Sequence, residues 1–353
     1  MDFDKATSDA VALLLQLIQI PSVSRDETNA ADHLFHVIEE RGLKPQRKNN
    51  NIWLKGDHWD DAKPTLLLNA HIDTVKPVAG WATDPFTPQF DGEKIVGLGS
   101  NDDGASLVSL LAVFQMLNAQ PQPYNLLFAA SAEEEVSGKN GIEALLPDLP
   151  HIDLGLVGEP TGMQPATAEK GLMVIDATAI GKSGHAARNE GINAIYKAVE
   201  DIQWICNNPL PKQTDLLGPV KMTTTMIQAG TQHNVIPDKC TFVIDVRSNE
   251  CYSNEEIFGL LQQHLGSELA ARSFRLSSSR ISHDNNLVKK LIGMGKTPFG
   301  SPTLSDQALM RFPTLKMGPG QSSRSHTANE FVLVSEINDA IQTYYQLLNG
   351  LTL

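Results

Sequence analysis

The chain has 353 residues, of which 41% are hydrophobic, and its 28 basic and 41 acidic residues give a formal net charge of -13. That length suggests two domains or one large one, and that apolar share supplies a core, which excludes a disordered chain. An acidic surface repels phosphate backbones and anionic lipid, so the composition argues against nucleic-acid and peripheral membrane partners, and no apolar run approaches the roughly 18–20 residues of a membrane span.

Val11, Leu14, Leu15 and Ile18 keep the helical i, i+3, i+4, i+7 spacing, and Pro21 closes this first helix. Three short apolar runs of the buried parallel-strand kind come next, at 65–68, 125–128 and 154–157. Helical stretches lie between them, notably from Ala105 to Leu117. Strands alternating with helices imply an α/β fold with a mostly parallel sheet. From about residue 171 the texture changes. The pattern predicts a strand at 172–180, a helix at 192–206, strands at 220–228 and 240–247, a helix at 254–265 and a last strand at 273–279. That β-α-β-β-α-β order is the ferredoxin-like split unit. The expected organisation is one domain from residues 1–170 plus 281–353, ending in a helix near 335–348, with an inserted α+β domain at 171–280.

Cys206, Cys240 and Cys251 form a sparse, odd set without Cys-x-x-Cys, and the Met-Asp-Phe-Asp-Lys start is acidic where a secretory signal is basic. Both predict reduced thiols in a cytoplasmic protein.

The chemistry sits just past the end of each buried strand. The first run leads into His71-Ile72-Asp73, the second into Glu133-Glu134-Glu135, the third into Gly158-Glu159-Pro160. Gly97-Leu98-Gly99-Ser100-Asn101-Asp102-Asp103-Gly104 adds two aspartates before a helix. In open α/β sheets, ligands bind at the carboxyl ends of the strands. Each piece alone has an ordinary reading. His-x-Asp is a weak motif, three glutamates suit a helix N-terminus, and Gly-Glu-Pro is a turn. Their placement at the ends of successive strands outweighs that reading. So many carboxylates at one edge need positive charge among them, and a pair of divalent metal ions is the simplest source. Mixed imidazole nitrogen and carboxylate oxygen suits zinc, with cobalt and manganese as alternatives.

These motifs, with Gly318-Pro319-Gly320 and His326-Thr327 before Asn329-Glu330-Phe331-Val332, resemble the di-zinc aminoacylase/carboxypeptidase family. Its members include succinyl-diaminopimelate desuccinylase and acetylornithine deacetylase, and the resemblance covers nearly the whole chain. It implies that His71, Asp102 and Glu159 hold one ion, and that Asp102, Glu135 and His326 hold the other, with Asp102 bridging. It implies that Asp73 accepts the second ring N–H of His71, that Glu134 is the general base, and that the Asp102–Asp103 peptide is cis. In the inserted domain it implies that His185 donates to the developing oxyanion and that Asn234 and Arg247 hold the substrate α-carboxylate. In this family the inserted domain also serves as lid and dimerisation surface, so a homodimer is expected.

Three positions depart from the family pattern. Asp103-Gly104-Ala105 replaces Met-Lys-Gly after the bridging aspartate, Leu98 replaces an arginine, and Leu304-Ser305-Asp306 replaces Gly-Thr-Asp. Asp103 is expected to point away from the metals, toward solvent or a cation. His33, His36, His58, His151, His264 and His283 carry no expected role, and His233 is of interest only beside Asn234. The expected activity is metal-dependent hydrolysis of an N-acyl amino acid, with N-acetylornithine in arginine biosynthesis first. Desuccinylation of ornithine, citrulline or diaminopimelate derivatives, dipeptidase or carboxypeptidase activity, and an inactive dimeric binding protein are the alternatives. A serine hydrolase is disfavoured because Gly-x-Ser-x-Gly is missing.

Overall fold

The computed structural model describes residues 2–353. It divides into two compact units, one of Met1–Thr167, Ile281–Phe299 and Ser305–Leu353, the other of Ala168–Arg280 and Gly300–Leu304. The short Gly300–Leu304 segment thus groups with the insert.

In the first unit the sheet runs in the order Gln46–Lys48, Asn51–Lys55, Asn125–Ser131, Thr65–His71, Leu154–Val157, Thr314–Lys316. The last three joins are parallel and the first two antiparallel. Alternation explains why the central runs are apolar throughout. Leu66, Leu68 and Ala70 face one core with Leu14, Phe114, Ile341 and Tyr344. Leu67 faces the other with Trp53, Leu127, Ile142 and Val157. A strand covered on both faces has no polar side to show. The first face is covered by helices Phe3–Ile18, Ala105–Asn118 and Val334–Leu348. Tyr344 donates to the Met317 carbonyl at 2.5 Å, and Tyr124 donates to the Leu348 carbonyl at 2.8 Å. These bonds fix the last helix to the sheet. In register, His71 lies opposite Ser131, so the strand ends that carry the motifs are level.

The second unit has Met173–Ile180, helix Ala194–Asn207, Lys221–Ala229, Lys239–Arg247, helix Asn254–His264 and Glu268–Ala271. Its sheet is antiparallel in the order Lys221–Ala229, Lys239–Arg247, Met173–Ile180, Glu268–Ala271. Ile175, Ala177, Phe242 and Ile244 point to one side, where Ala198, Ile205, Ile257 and Leu261 of the two helices cover them. The β-α-β-β-α-β order is present, with one correction. The last strand of this sheet is Glu268–Ala271, not 273–279. Glu-Leu-Ala-Ala reads locally as helix-former sequence, but Asp201 accepts the N–H groups of Gly266 and Ser267 and turns the chain onto the sheet edge. Among the described residues, no helix is long and apolar enough to cross a membrane.

Candidate active site and metal centre

Strand Thr65–His71 delivers His71 to the carboxyl edge, buried. Its Nδ1 lies 2.9 Å from the Asp73 backbone carbonyl and its Nε2 lies 3.2 Å from Asp102 Oδ1. A ring N–H donated to that carbonyl leaves Nε2 free to act as a ligand. The Asp73 carboxylate stands farther off, at 3.5 Å from Nδ1. It also organises the next turn. It accepts the N–H of Glu134 at 3.0 Å, the N–H of Glu135 at 3.2 Å and the hydroxyl of Ser24 at 2.7 Å. Asp73 therefore shapes the turn that carries the two glutamates.

That turn separates three consecutive acids. Glu133 takes the left-handed conformation, φ 55°, and its carboxylate accepts from the Asn140 side chain at 2.9 Å. Glu134 Oε2 sits 3.9 Å from His71 Nε2. Glu135 Oε2 sits 2.8 Å from His326 Nε2. Asp102 lies between the two histidines, with Oδ1 toward His71 and Oδ2 3.7 Å from His326 Nε2. The Asp102–Asp103 peptide is cis.

Two groups of ligand-type atoms each fall within 4.8 Å: His71, Glu134 and Glu159, and His71, Asp102 and Glu135. Every metal ligand expected from the sequence is in this assembly, with His326 joined through Glu135 and Asp102. The grouping differs from the one the resemblance implies: Glu134 takes the place of Asp102 beside His71 and Glu159, and His71 takes the place of His326 beside Asp102 and Glu135.

The charges show what the cluster lacks. Burial and the neighbouring carboxylates hold Glu134 well above the ordinary glutamate range. Burial does the same to Glu159, offset in part by the charge of Lys316. Burial opposes a charged His71, yet Asp102, Asp73 and Glu134 raise it well above an ordinary imidazole. Burial also works against ionised Asp102, but His71 pulls it below the usual aspartate value. The acids thus hold on to protons or borrow charge from the histidines. Divalent cations on these donors would replace both, so the residues fit such a site.

Asp103 departs from expectation. It is 1% exposed and turned inward, away from solvent, where a Cβ on Gly158 would lie 3.0 Å from its Oδ2. Burial raises its pKa to about 8, against the opposing charge of His71. Three further buried groups adjoin the cluster and have no role in the sequence reading. Asp306 accepts from Ser131 Oγ at 2.5 Å and Asn69 Nδ2 at 2.9 Å, tying together the ends of two strands. Lys316 is 1% exposed at the end of its strand. Its one visible sign is a lysine between Leu315 and Met317. Glu330 is likewise buried.

In the second unit, the short segments Gly184–His185 and Val235–Ile236 pair antiparallel, which places exposed His185 beside Asn234. Ala186 donates to the Asn234 carbonyl at 3.0 Å. His185 Nδ1 accepts the Ala187 N–H at 3.1 Å, so Nε2 carries the ring proton. Arg247 lies on the sheet face opposite the helices, half-buried, and donates through Nε and Nη2 to Asp245 at 2.8 and 3.0 Å.

The family model for "Peptidase family M20/M25/M40" matches residues 67–350. The chain belongs to this family. It is therefore a metal-dependent amidohydrolase of α/β fold, with a mostly parallel catalytic sheet and an inserted domain. It is similar to a LysW-lysine/LysW-ornithine hydrolase of Sulfurisphaera tokodaii, 25% identical over 97% of this chain and 95% of that one. It is similar to a succinyl-diaminopimelate desuccinylase of Dinoroseobacter shibae, 27% identical over 78% and 77%. The fold is shared with the Bacillus subtilis YXEP protein, described as a dinuclear metal binding peptidase of the M20 family. The TM-score there is 0.73 at 17% identity, over 98% of each chain.

Proposed function

We propose that this enzyme removes the acyl group from the amine of an N-acyl amino acid, and that a diamino acid such as ornithine is the amino-acid part. One observation carries the reading. Asp102 offers one oxygen toward His71 and the other toward the more exposed His326, while Glu134 Oε2 lies 3.9 Å from His71 Nε2. The curated relatives support the substrate class, since both are named for amides of lysine, ornithine or diaminopimelate. N-acetylornithine is the first substrate to test, with succinyl and dipeptide amides as alternatives.

His71, Asp102, Glu135, Glu159 and His326 would hold two divalent ions, with zinc first. Bound there, such ions acidify a shared water and polarise the scissile carbonyl. Glu134 takes the water's proton on its carboxylate and returns it to the leaving amine. His185 donates a hydrogen bond from Nε2–H to the carbonyl oxygen as charge builds there. Arg247, held at Nε and Nη2 by Asp245, presents Nη1 to the α-carboxylate, with Asn234 as a further donor.

The second unit also supports a homodimer. Strand Lys221–Ala229 is at a sheet edge, with Met226 56% and Ile227 51% exposed, and Tyr196 on helix Ala194–Asn207 is 69% exposed. Such an unpaired apolar edge invites a second copy. The free cysteines Cys206, Cys240 and Cys251 fit a reducing compartment such as the cytoplasm.

The test is steady-state kinetics of the metal-loaded enzyme on N-acetyl and N-succinyl ornithine, citrulline, lysine and diaminopimelate, with dipeptides alongside. Acyl-ornithine or acyl-lysine should give the highest kcat/KM. Preference for unacylated dipeptides would replace this reading with a peptidase. Sedimentation of wild type against Met226→Lys should show a dimer becoming a monomer.

A further inference from the structure

The loop that carries Asp102 and the loop that carries His326 are fastened together by side chains that are not themselves ligands. Glu330 is 2% exposed. Its Oε1 accepts the N–H groups of Asn101 and Asp102, both at 2.9 Å. Its backbone carbonyl accepts the Gly97 N–H at 3.0 Å. From the other side, Asn101 Oδ1 accepts the Gln321 N–H at 2.9 Å, and Asn101 Nδ2 donates to the Gln321 carbonyl at 3.1 Å and Ser325 Oγ at 3.2 Å. Space has been left for this lacing. At Gly320, φ +79°, a Cβ would fall 2.2 Å from Asn101 Oδ1.

The fastened loop needs outside support. His326 and Asn329, neither a glycine, hold φ of 59° and 60°, a left-handed region that ordinary residues keep only where the surroundings fix them. Glu330 supplies such a fixture immediately after Asn329, and its carboxylate reaches directly to the amide of Asp102.

We propose that Glu330 and Asn101 are positioning residues that set the spacing of Asp102 and His326, and thereby the affinity for the ion those two share. The inference rests on the proposed function, in which Asp102 and His326 are ligands. Groups that orient ligands without touching the metal are typically worth about 10–100-fold in metal affinity.

The experiment is calorimetric titration of zinc into metal-free full-length protein at fixed pH. Wild type, Glu330→Ala, Glu330→Gln, Asn101→Ala and His326→Ala are compared, and the melting temperature of each metal-free variant is measured. Wild type should take two ions, and His326→Ala should lose one. Glu330→Ala should weaken the site that includes His326 about 10–100-fold and the other site, which shares only Asp102, by less. Glu330→Gln keeps an acceptor oxygen for the amides and should fall between Glu330→Ala and wild type. Should Glu330→Ala not fold, Asn101→Ala carries the same expectation. Two wild-type affinities in a folded Glu330→Ala or Asn101→Ala would overturn the inference while leaving the ligand reading intact. So would a Glu330→Gln protein as weak as Glu330→Ala. A wild type that takes fewer than two ions, or a His326→Ala protein that titrates like wild type, would instead remove the ligand reading and this inference with it.

Discussion

The two units handle polar residues in opposite ways. In the first, the acids and His71 lie together, mostly buried, and their ionisation is set by burial and by one another. In the second, His185 and Asn234 are exposed and meet on a two-residue pairing, while Arg247 is already matched by Asp245. On the proposed roles, the crowded cluster holds ions and moves a proton, and the sparse exposed set reads the substrate. Chemistry and recognition thus obey different physical constraints in one chain, with burial governing the first and accessible donors the second.

Four experiments break or sharpen that contrast. The largest effect should come from removing the metals. Dialysis against a chelator should abolish turnover, and zinc, cobalt or manganese should restore it. Full activity in demonstrably metal-free protein would end the account of the first unit. Next is Glu134→Gln, which keeps the shape of the side chain but cannot take the proton. A loss of about 10²–10⁴-fold in kcat is expected, with two ions still bound. A near-normal kcat with a full metal complement rejects the role.

Recognition should respond more mildly. Arg247→Lys loses the planar fork and should raise KM about tenfold, the worth of one charge-assisted hydrogen bond, with kcat little changed. A fall in kcat at constant KM would move Arg247 from binding to chemistry. The smallest effect concerns Asp306. Burial raises its pKa from 3.8 to about 6 in the folded state. A raised carboxyl stabilises the fold fully below its unfolded value, and that contribution is lost as pH rises through about 6. In metal-free protein, the fall in Tm between about pH 4 and 6 should be shallower by a few degrees in Asp306→Asn than in wild type. Parallel Tm curves would show that Asp306 is already ionised in the fold.

Much of this is legible in the chain. Strands buried on both faces must be continuously apolar, so Leu66–Leu68 and Leu126–Phe128 announce themselves. The carboxyl end of a parallel strand is the place to look for ligands, and His71, Glu134, Glu135 and Glu159 lie there. The strand Glu268–Ala271 is hidden because tertiary contacts through Asp201 override its local preference. Asp103 reads as a charge in the sequence, whereas burial favours its neutral form. The positioning role of Glu330 and Asn101 is invisible there because their bonds join segments more than 200 residues apart, and no local pattern marks such a bond.

Helix Val334–Leu348 carries a consequence for how the molecule is made. Its buried Ile341 and Tyr344 share a core with Leu14 of the first helix, so that core closes only once residue 344 has been synthesised. Residues 168–280, by contrast, emerge as an uninterrupted stretch with their own core and can fold while translation continues. His326 arrives long after His71 and Asp102. On the proposed ligand set, loading with both metals waits for the later segment, and a nascent chain arrested at residue 320 should release zinc to a weak chelator that the 353-residue chain resists.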